Sequence, residues 1–279
     1  MSQSLEVTAR WAAAQRARES QRPDRLFDDP LATALAGPEG AEMLRLSELN
    51  NPRSKQTAEY MVVRTRFLDD FLLRTVNAPD SPRKQVVMLA AGMDTRAFRL
   101  PLPPDTVFYE LDQPAVLALK QELLQRIEAP APVRRIPVAV DLLSDWIAAL
   151  ETAGFQRARP AVWFLEGLLF YLKEPEVRRL LDGISQCAAR HSALAADMIS
   201  ASFLTSPWTQ AALQSMKERG MGWYWGTDDP EQFFGAFGWE AAAVQPGEES
   251  ANFGRWSEPV FPRAQRELPR SFFVTGEKV

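Results

Sequence analysis

The chain of 279 residues has a single cysteine, Cys187, and a single histidine, His191. One cysteine excludes an intramolecular disulfide. Cys187 lies in an apolar helical pattern with no basic cluster to lower its pKa, so it reads as a small core residue, not a reactive thiol. Cys187 and His191 are sequence neighbours and do not form a metal ligand set, so no metal is expected. No apolar run approaches the roughly 18 residues of a membrane span. The stretch MSQSLEVTARWAAAQRARES lacks the apolar core of a secretion signal, and a cytoplasmic protein is expected. Basic charge is not in excess either. A formal net charge of −4 and a pI near 5.3 give no support to a nucleic-acid or membrane partner. Repeats and low-complexity tracts are absent.

What the chain does have is ordinary globular material, with 46% apolar and 24% charged residues. Its pattern divides one domain into three parts, 1–80, 83–200 and 201–279. The first is helical. Leu5, Thr8, Ala9 and Ala12 share one helix face, Pro23 ends that pattern, and DDPLATALAG restarts a short helix ending at Gly37. A longer helix is expected from about Thr57 to Val76, with a stripe of Met61, Phe67, Leu68, Phe71 and Leu72.

The second part alternates apolar runs (QVVMLAAG, TVFYELD, RIPVAVD, AVWFLEG and SALAADM) with helical segments of 10–16 residues. That alternation predicts βαβ units, hence an α/β, doubly wound, mostly parallel sheet. Runs that are apolar almost throughout suit strands covered on both faces. In the third part, Ser206–Gly220 reads as a helix. Asp229 and Pro230 open another as N-cap and first residue. WEAAAVQ and RSFFVTG read as two final strands able to pair antiparallel at the sheet edge.

In a doubly wound sheet, ligands bind beyond the carboxyl ends of the strands. The predicted strands end in Ala90-Ala91-Gly92, Glu110-Leu111-Asp112, Asp141-Leu142 and Glu166-Gly167. Small residues at the first turn let backbone approach a ligand closely. An acid about 20 residues on, Asp112, can take a ribose hydroxyl pair. This predicts an adenosine-type cofactor. G-x-G-x-x-G is missing, and Asp94 stands at the following helix start, so a pyrophosphate is disfavoured. Acids ending three successive strands suit a ligand bearing cationic sulfonium and ammonium groups. Strand-end acids also serve as helix caps, which is the plainer reading of Asp141 and Glu166.

QVVMLAAGMDTRAFRL, FYELDQPAVLALK and FLEGLLFYL resemble the three signature blocks of the leucine carboxyl methyltransferase family. RARESQRPDRLFDDPLA and RTRFLDD resemble its bacterial branch, which includes O-methyltransferases of polyketide biosynthesis. The resemblance spans about residues 10–240. It implies a Rossmann-like methyltransferase with a seven-stranded-type sheet, an N-terminal helical elaboration and a helical insert after the fifth strand. S-adenosyl-L-methionine is the implied cofactor. On this resemblance Arg64 binds the methionine carboxylate, the alternative being an ion pair with Asp69 or Asp70. Ala90, Ala91 and Gly92 pass the methionine part, and Asp112 bridges the ribose hydroxyls. Asp141 and Leu142 flank the adenine, and Glu166 faces the amino-acid end or the transfer site. Arg16 or Arg18 can reach in from the N-terminal helices. The family usually has Gly where this chain has Ala90; ordinary β backbone is expected there, where Ala is harmless.

Methyl transfer to a carboxylate needs alignment and desolvation but no base. His191, between a helix and a strand, is poorly placed as a base and reads as a helix-end residue. A phenol acceptor would need a base, for which Glu166 and Tyr171 are the candidate catalytic residues. Trp208, Met216, Met221, Trp223, Tyr224 and Trp225 either line a pocket for a planar acceptor or pack the C-terminal core. The expected function is O-methylation of a small-molecule, polyketide-like carboxylate or hydroxyl. The alternatives are methylation of a protein C-terminal carboxylate and a non-catalytic cofactor-binding regulator.

Overall fold

The computed structural model describes residues 2–50 and 53–279, with side chains over 6–49 and 53–279. Leu5 of the N-terminal stripe lies outside the described side chains. Three helices come first: α1 (Ser2–Ser20), α2 (Ala32–Asn50) and α3 (Ser54–Val76). Strands and helices then alternate through β1 (Gln85–Leu89), α4 (Arg96–Arg99), β2 (Val107–Asp112), α5 (Pro114–Arg126), β3 (Arg134–Ala139), α6 (Trp146–Thr152), β4 (Ala161–Leu165), α7 (Glu174–Cys187) and β5 (Ala193–Ile199). The helices α8 (Ala201–Thr205), α9 (Pro207–Glu218) and α10 (Pro230–Gly235) separate β5 from β6 (Trp239–Val244), and β7 (Ser271–Lys278) ends the chain.

The seven strands are ordered β3-β2-β1-β4-β5-β7-β6. β1 to β5 run parallel, and β7 enters antiparallel between β5 and β6. The chain winds outward from β1 to β3, then returns to place β4 on the other side of β1. Strand order reverses at this point, so the carboxyl ends of β1 and β4 border the crevice where such sheets bind ligands.

Period-two alternation explains why the central strands are apolar throughout. Val87, Leu89, Trp163 and Leu165 face α6 and α7, packing on Trp146, Val177, Leu180, Leu181 and Ile184. Their neighbours Val86, Met88, Val162 and Phe164 face the other way, onto Phe67, Leu68, Phe71 and Leu72 of α3. Residues of β1, β4 and β5 are buried without exception. β3 departs from the expected two-sided cover, because only one of its residues, Val138, is buried. It is an edge strand paired to β2 alone, which is also why it tolerates Pro137.

Two helix expectations are corrected. The helix expected to stop at Gly37 does break there, at φ 59 and ψ −175, but resumes at Pro38 and continues to Asn50. A proline that cannot continue one helix is a favourable first residue for the next. Asp229 precedes α10 as expected, but its side chain makes no cap; it pairs with Arg266 instead. Among the described residues, no helix is long and apolar enough to cross a membrane.

Candidate active site

The turn after β1 is pinned to β2 by two hydrogen bonds. The Ala91 amide donates to the Leu111 carbonyl at 3.0 Å, and the Gly92 amide donates to Asp112 Oδ2 at 2.7 Å. Asp112 Oδ1 accepts the Gln113 amide at 2.7 Å. Burial pushes the Asp112 carboxyl up, and these two amide bonds offset it in part. The Val140 amide donates to the Asp112 carbonyl at 2.9 Å, which brings the loop after β3 beside the same residue. Asp141 in that loop is exposed, and its Oδ1 accepts the Leu143 amide at 2.9 Å, while Leu142 is half-buried.

The expectation for Ala90 is overturned. Its φ is 55°, in the left-handed region, as is that of Gly92 at 47°. A non-glycine residue pays for this backbone with about 1–2 kcal/mol of steric strain. With residues 90 and 92 both in this conformation, the Gly92 amide donates to Asp112.

Continuous with this turn is a buried ionic network that the sequence reading only partly foresaw. Arg64, on α3, donates from Nη1 to Asp197 Oδ2 at 2.8 Å, and its Nε lies 3.0 Å from Glu166 Oε1. The alternative partners are engaged elsewhere, Asp69 by Arg96 and Arg99 and Asp70 by Arg66. Glu166, directly after β4, also meets Arg96 Nη1 at 2.6 Å. Arg96 is fully buried and reaches Asp69 and Asp94 as well. Burial alone would raise Glu166, but Arg96 and Arg64 outweigh it and hold the carboxyl below its ordinary range. Asp94 is lowered in the same way, with Arg96 and Lys120 overcoming burial.

Asp197 and Tyr60 were missed. Asp197, in β5, has no exposed surface; its Oδ1 accepts the Gly167 amide at 2.5 Å and its Oδ2 accepts the Tyr60 hydroxyl at 2.8 Å. A lone charge inside the apolar run ALAADMI was the available signal, since a buried carboxylate must be paired. Tyr60 stands four residues before Arg64 and so shares its helix face.

The N-terminal helices cover this region. Arg16 donates from Nη2 to the Met93 carbonyl at 2.5 Å and from Nε to buried Asp29 at 2.8 Å. Arg18 turns away, to Gln15 and Glu48. The Thr8 hydroxyl reaches the Met221 sulfur at 2.9 Å, joining α1 to the segment after β5. The aromatics of that segment divide. Trp225 is core, packed on Phe233, while Trp208 and Tyr224 are 59% and 51% exposed. Trp223 packs on Phe170, beside Tyr171. Burial pushes the Tyr171 hydroxyl up. His191 lies before β5, at the opposite end of the sheet from the crevice; it is exposed, four residues past α7, and pairs with Glu277 at 2.9 Å instead of capping the helix.

The sequence profile of leucine carboxyl methyltransferase matches residues 9–185, more than half of the chain. A Mycolicibacterium paratuberculosis protein named "Putative S-adenosyl-L-methionine-dependent methyltransferase" is 42% identical over 207 residues, covering 71% of this chain and 66% of that protein. A protein of the same name from Mycolicibacterium gilvum is 36% identical over 275 residues, covering 91% and 88%. The match thus spans just under two thirds of the first relative's length and most of the second's. Among solved structures, a DUF574 family protein from Streptomyces avermitilis aligns with a TM-score of 0.64 at 15% identity, covering 98% of this chain and 97% of that one. Magnesium protoporphyrin IX methyltransferase from Synechocystis, solved with S-adenosylhomocysteine, aligns at 0.50 and 12% identity, covering 86% and 94%. Both likenesses concern the fold. With its profile match and its relatives above 30% identity, the chain belongs to the leucine carboxyl methyltransferase family.

Proposed function

We propose that the chain is an S-adenosyl-L-methionine-dependent O-methyltransferase whose acceptor is a small-molecule carboxylate, polyketide-like in class, and that it works in the cytoplasm. The observation that carries the cofactor reading is the bond from the Gly92 amide to Asp112, with Arg96 tying Asp94 of the same turn to Glu166, the partner of Arg64. Each Asp112 oxygen spends one lone pair on an amide and keeps another for a ribose hydroxyl. Arg64 Nη2 is the donor for the methionine carboxylate. Glu166, held ionised by two guanidinium groups, suits the methionine ammonium. Ala90, Ala91 and Gly92 form the floor beneath the methionine chain, and Asp141 and Leu142 border the adenine. When bound, S-adenosyl-L-methionine supplies an electrophilic methyl group on sulfur.

The acceptor reading rests on proton chemistry. Glu166 is pulled down by Arg96 and Arg64, and the Tyr171 hydroxyl is pushed up by burial. Neither accepts a proton readily near neutral pH, so the chain's own groups favour a nucleophile that arrives ionised. A carboxylate does so above about pH 5. Initial rates of methyl transfer at subsaturating acceptor test this: kcat/KM is expected to stay flat between pH 6 and pH 9. A tenfold rise per pH unit would mean a hydroxyl acceptor, and a protein that fails to bind the cofactor in calorimetry would end the whole reading.

A further inference from the structure

Arg96, the first residue of α4, joins the turn after β1 to the end of β4. Three carboxylates from three parts of the chain meet its buried side chain. Nε donates to Asp69 Oδ1 of α3 at 2.7 Å. Nη1 donates both to Asp94 Oδ2 of the turn at 2.5 Å and to Glu166 Oε2 at 2.6 Å. The Arg96 amide also donates to Asp94 Oδ1 at 2.8 Å, which holds Asp94 against the start of α4.

Two contacts fix the plane of this guanidinium. Asp69 is itself gripped by Arg99, with Nη1 at 2.6 Å from Oδ2 and Nη2 at 2.8 Å from Oδ1, so it anchors the Nε edge of Arg96. The ring centroid of Phe164 lies 5.5 Å from the Arg96 Cζ. Phe164 precedes Glu166 by two residues, so the guanidinium packs on one and bonds the other. Glu166 is then held at both oxygens, Oε2 by Arg96 and Oε1 by Arg64 Nε at 3.0 Å. Each oxygen keeps a second lone pair.

We propose that Arg96 is a positioning residue for the cofactor: it fixes Glu166 relative to the turn after β1, so that this carboxylate meets the methionine ammonium. The proposal rests on the S-adenosyl-L-methionine reading above and adds the residue that readies Glu166 for its part in it. A guanidinium suits the task because its flat fork holds several acceptors in one plane, which a lysine ammonium does not. Glu166 is faced by Arg96 of α4, Arg64 of α3 and Asp94 of the turn, and beyond Arg64 stand Tyr60 of α3 and Asp197 of β5. Burial favours the neutral form of Glu166, and Arg96 opposes it more strongly than Arg64 does. Without Arg96 the carboxyl would therefore rise and begin to lose its charge as pH falls.

Calorimetric titration of the full chain with S-adenosylhomocysteine and with its deaminated analogue, S-adenosyl-4-mercaptobutyrate, tests this. The analogue keeps the adenosine, the sulfur and the carboxylate and lacks only the ammonium. The wild type is expected to prefer S-adenosylhomocysteine about tenfold or more, the worth of one hydrogen bond between charged groups, and evenly from about pH 6 to pH 8. In Arg96→Lys, which keeps a positive charge but not the fork, that preference should shrink about tenfold with the affinity for the analogue unchanged. In Arg96→Met the affinity for S-adenosylhomocysteine should also become pH-dependent, weakest at pH 6 and recovering toward pH 8 as Glu166 ionises, while that for the analogue stays level. An Arg96 that only supports the fold would move both ligands together. Equal losses for the two ligands in Arg96→Lys, or a preference retained there in full, would overturn the proposal. So would a response to pH shared by both ligands in Arg96→Met, or a wild type with no preference. If Arg96→Met does not fold, Arg96→Lys carries the test. If neither folds, the wild-type preference is followed down to pH 5, where a level value is expected and a fading one would overturn the proposal. Failure of the wild type to bind S-adenosylhomocysteine at all is a different result, which removes the cofactor reading itself.

Discussion

Ala90 holds a left-handed backbone that its side chain disfavours, and it does so where the turn presents Gly92 to Asp112. Ala90→Gly is expected to relieve the strain. The larger freedom of glycine in the unfolded chain offsets part of that gain. The net effect should be a stabilisation of up to about 1 kcal/mol, roughly 2–4 °C in melting temperature by scanning calorimetry. A lower melting temperature would show that the methyl group makes contacts worth more than the strain. Gly92 and Asp112 were legible in sequence because small turn residues and an acid about 20 residues on are a local, periodic signal. The φ at Ala90 was not, since the sequence shows a residue's type and not its dihedral. Asp197 escaped for another reason: Arg64 lies 133 residues away in the chain, and only the sheet brings the two together.

At the scale of elements, α1 meets the turn after β1 through apolar packing of Ala13 and Ala14 with Met93 and through the polar reach of Arg16. Arg16 joins the Met93 carbonyl to Asp29, and Asp29 also accepts the Thr95 hydroxyl at 2.6 Å. Arg16→Ala leaves a buried carboxylate short of a partner, which should destabilise the fold by about 2–3 kcal/mol. Hydrogen exchange should quicken in α1 first, with β1 and β4 keeping their protection. Uniform loss across the sheet would mean that α1 is not a separable cover. The central strands were readable because burial on both faces demands an apolar run. The kink in α2 was not, because Gly37-Pro38 reads equally well as the end of one helix and the start of another.

For the molecule as a whole, the buried charges set the response to acid. Asp29, Asp94 and Glu166 all have lowered pKa values: burial opposes the shift, and the neighbouring arginines outweigh it. A carboxyl lowered in the folded state contributes stability above its unfolded value, near pH 4, and loses it as pH falls through the folded value. Asp112 is raised and acts in the opposite sense, costing stability once it ionises. These three lowered groups, joined by the more exposed carboxyls of Asp24, Glu42, Glu151 and Glu231 that arginines also lower, outnumber the one raised carboxyl and predict a plateau in melting temperature from about pH 5 to pH 8 and a steep fall below about pH 4. Thermal melts followed by circular dichroism across pH 3–8 check this, and a melting temperature that holds to pH 3 would contradict the ionic network.

The contact between Arg64 and the carboxylate of a methionine chain is central to the proposed cofactor site. Calorimetric titration of Arg64→Ala with S-adenosyl-L-methionine and with 5′-methylthioadenosine, which has the adenosine and sulfur but no carboxylate, tests that contact directly. The affinity for S-adenosyl-L-methionine is expected to drop at least tenfold, roughly the value of one charged hydrogen bond. The affinity for 5′-methylthioadenosine should stay as in the wild type. Equal losses for the two ligands, or none for either, would contradict it.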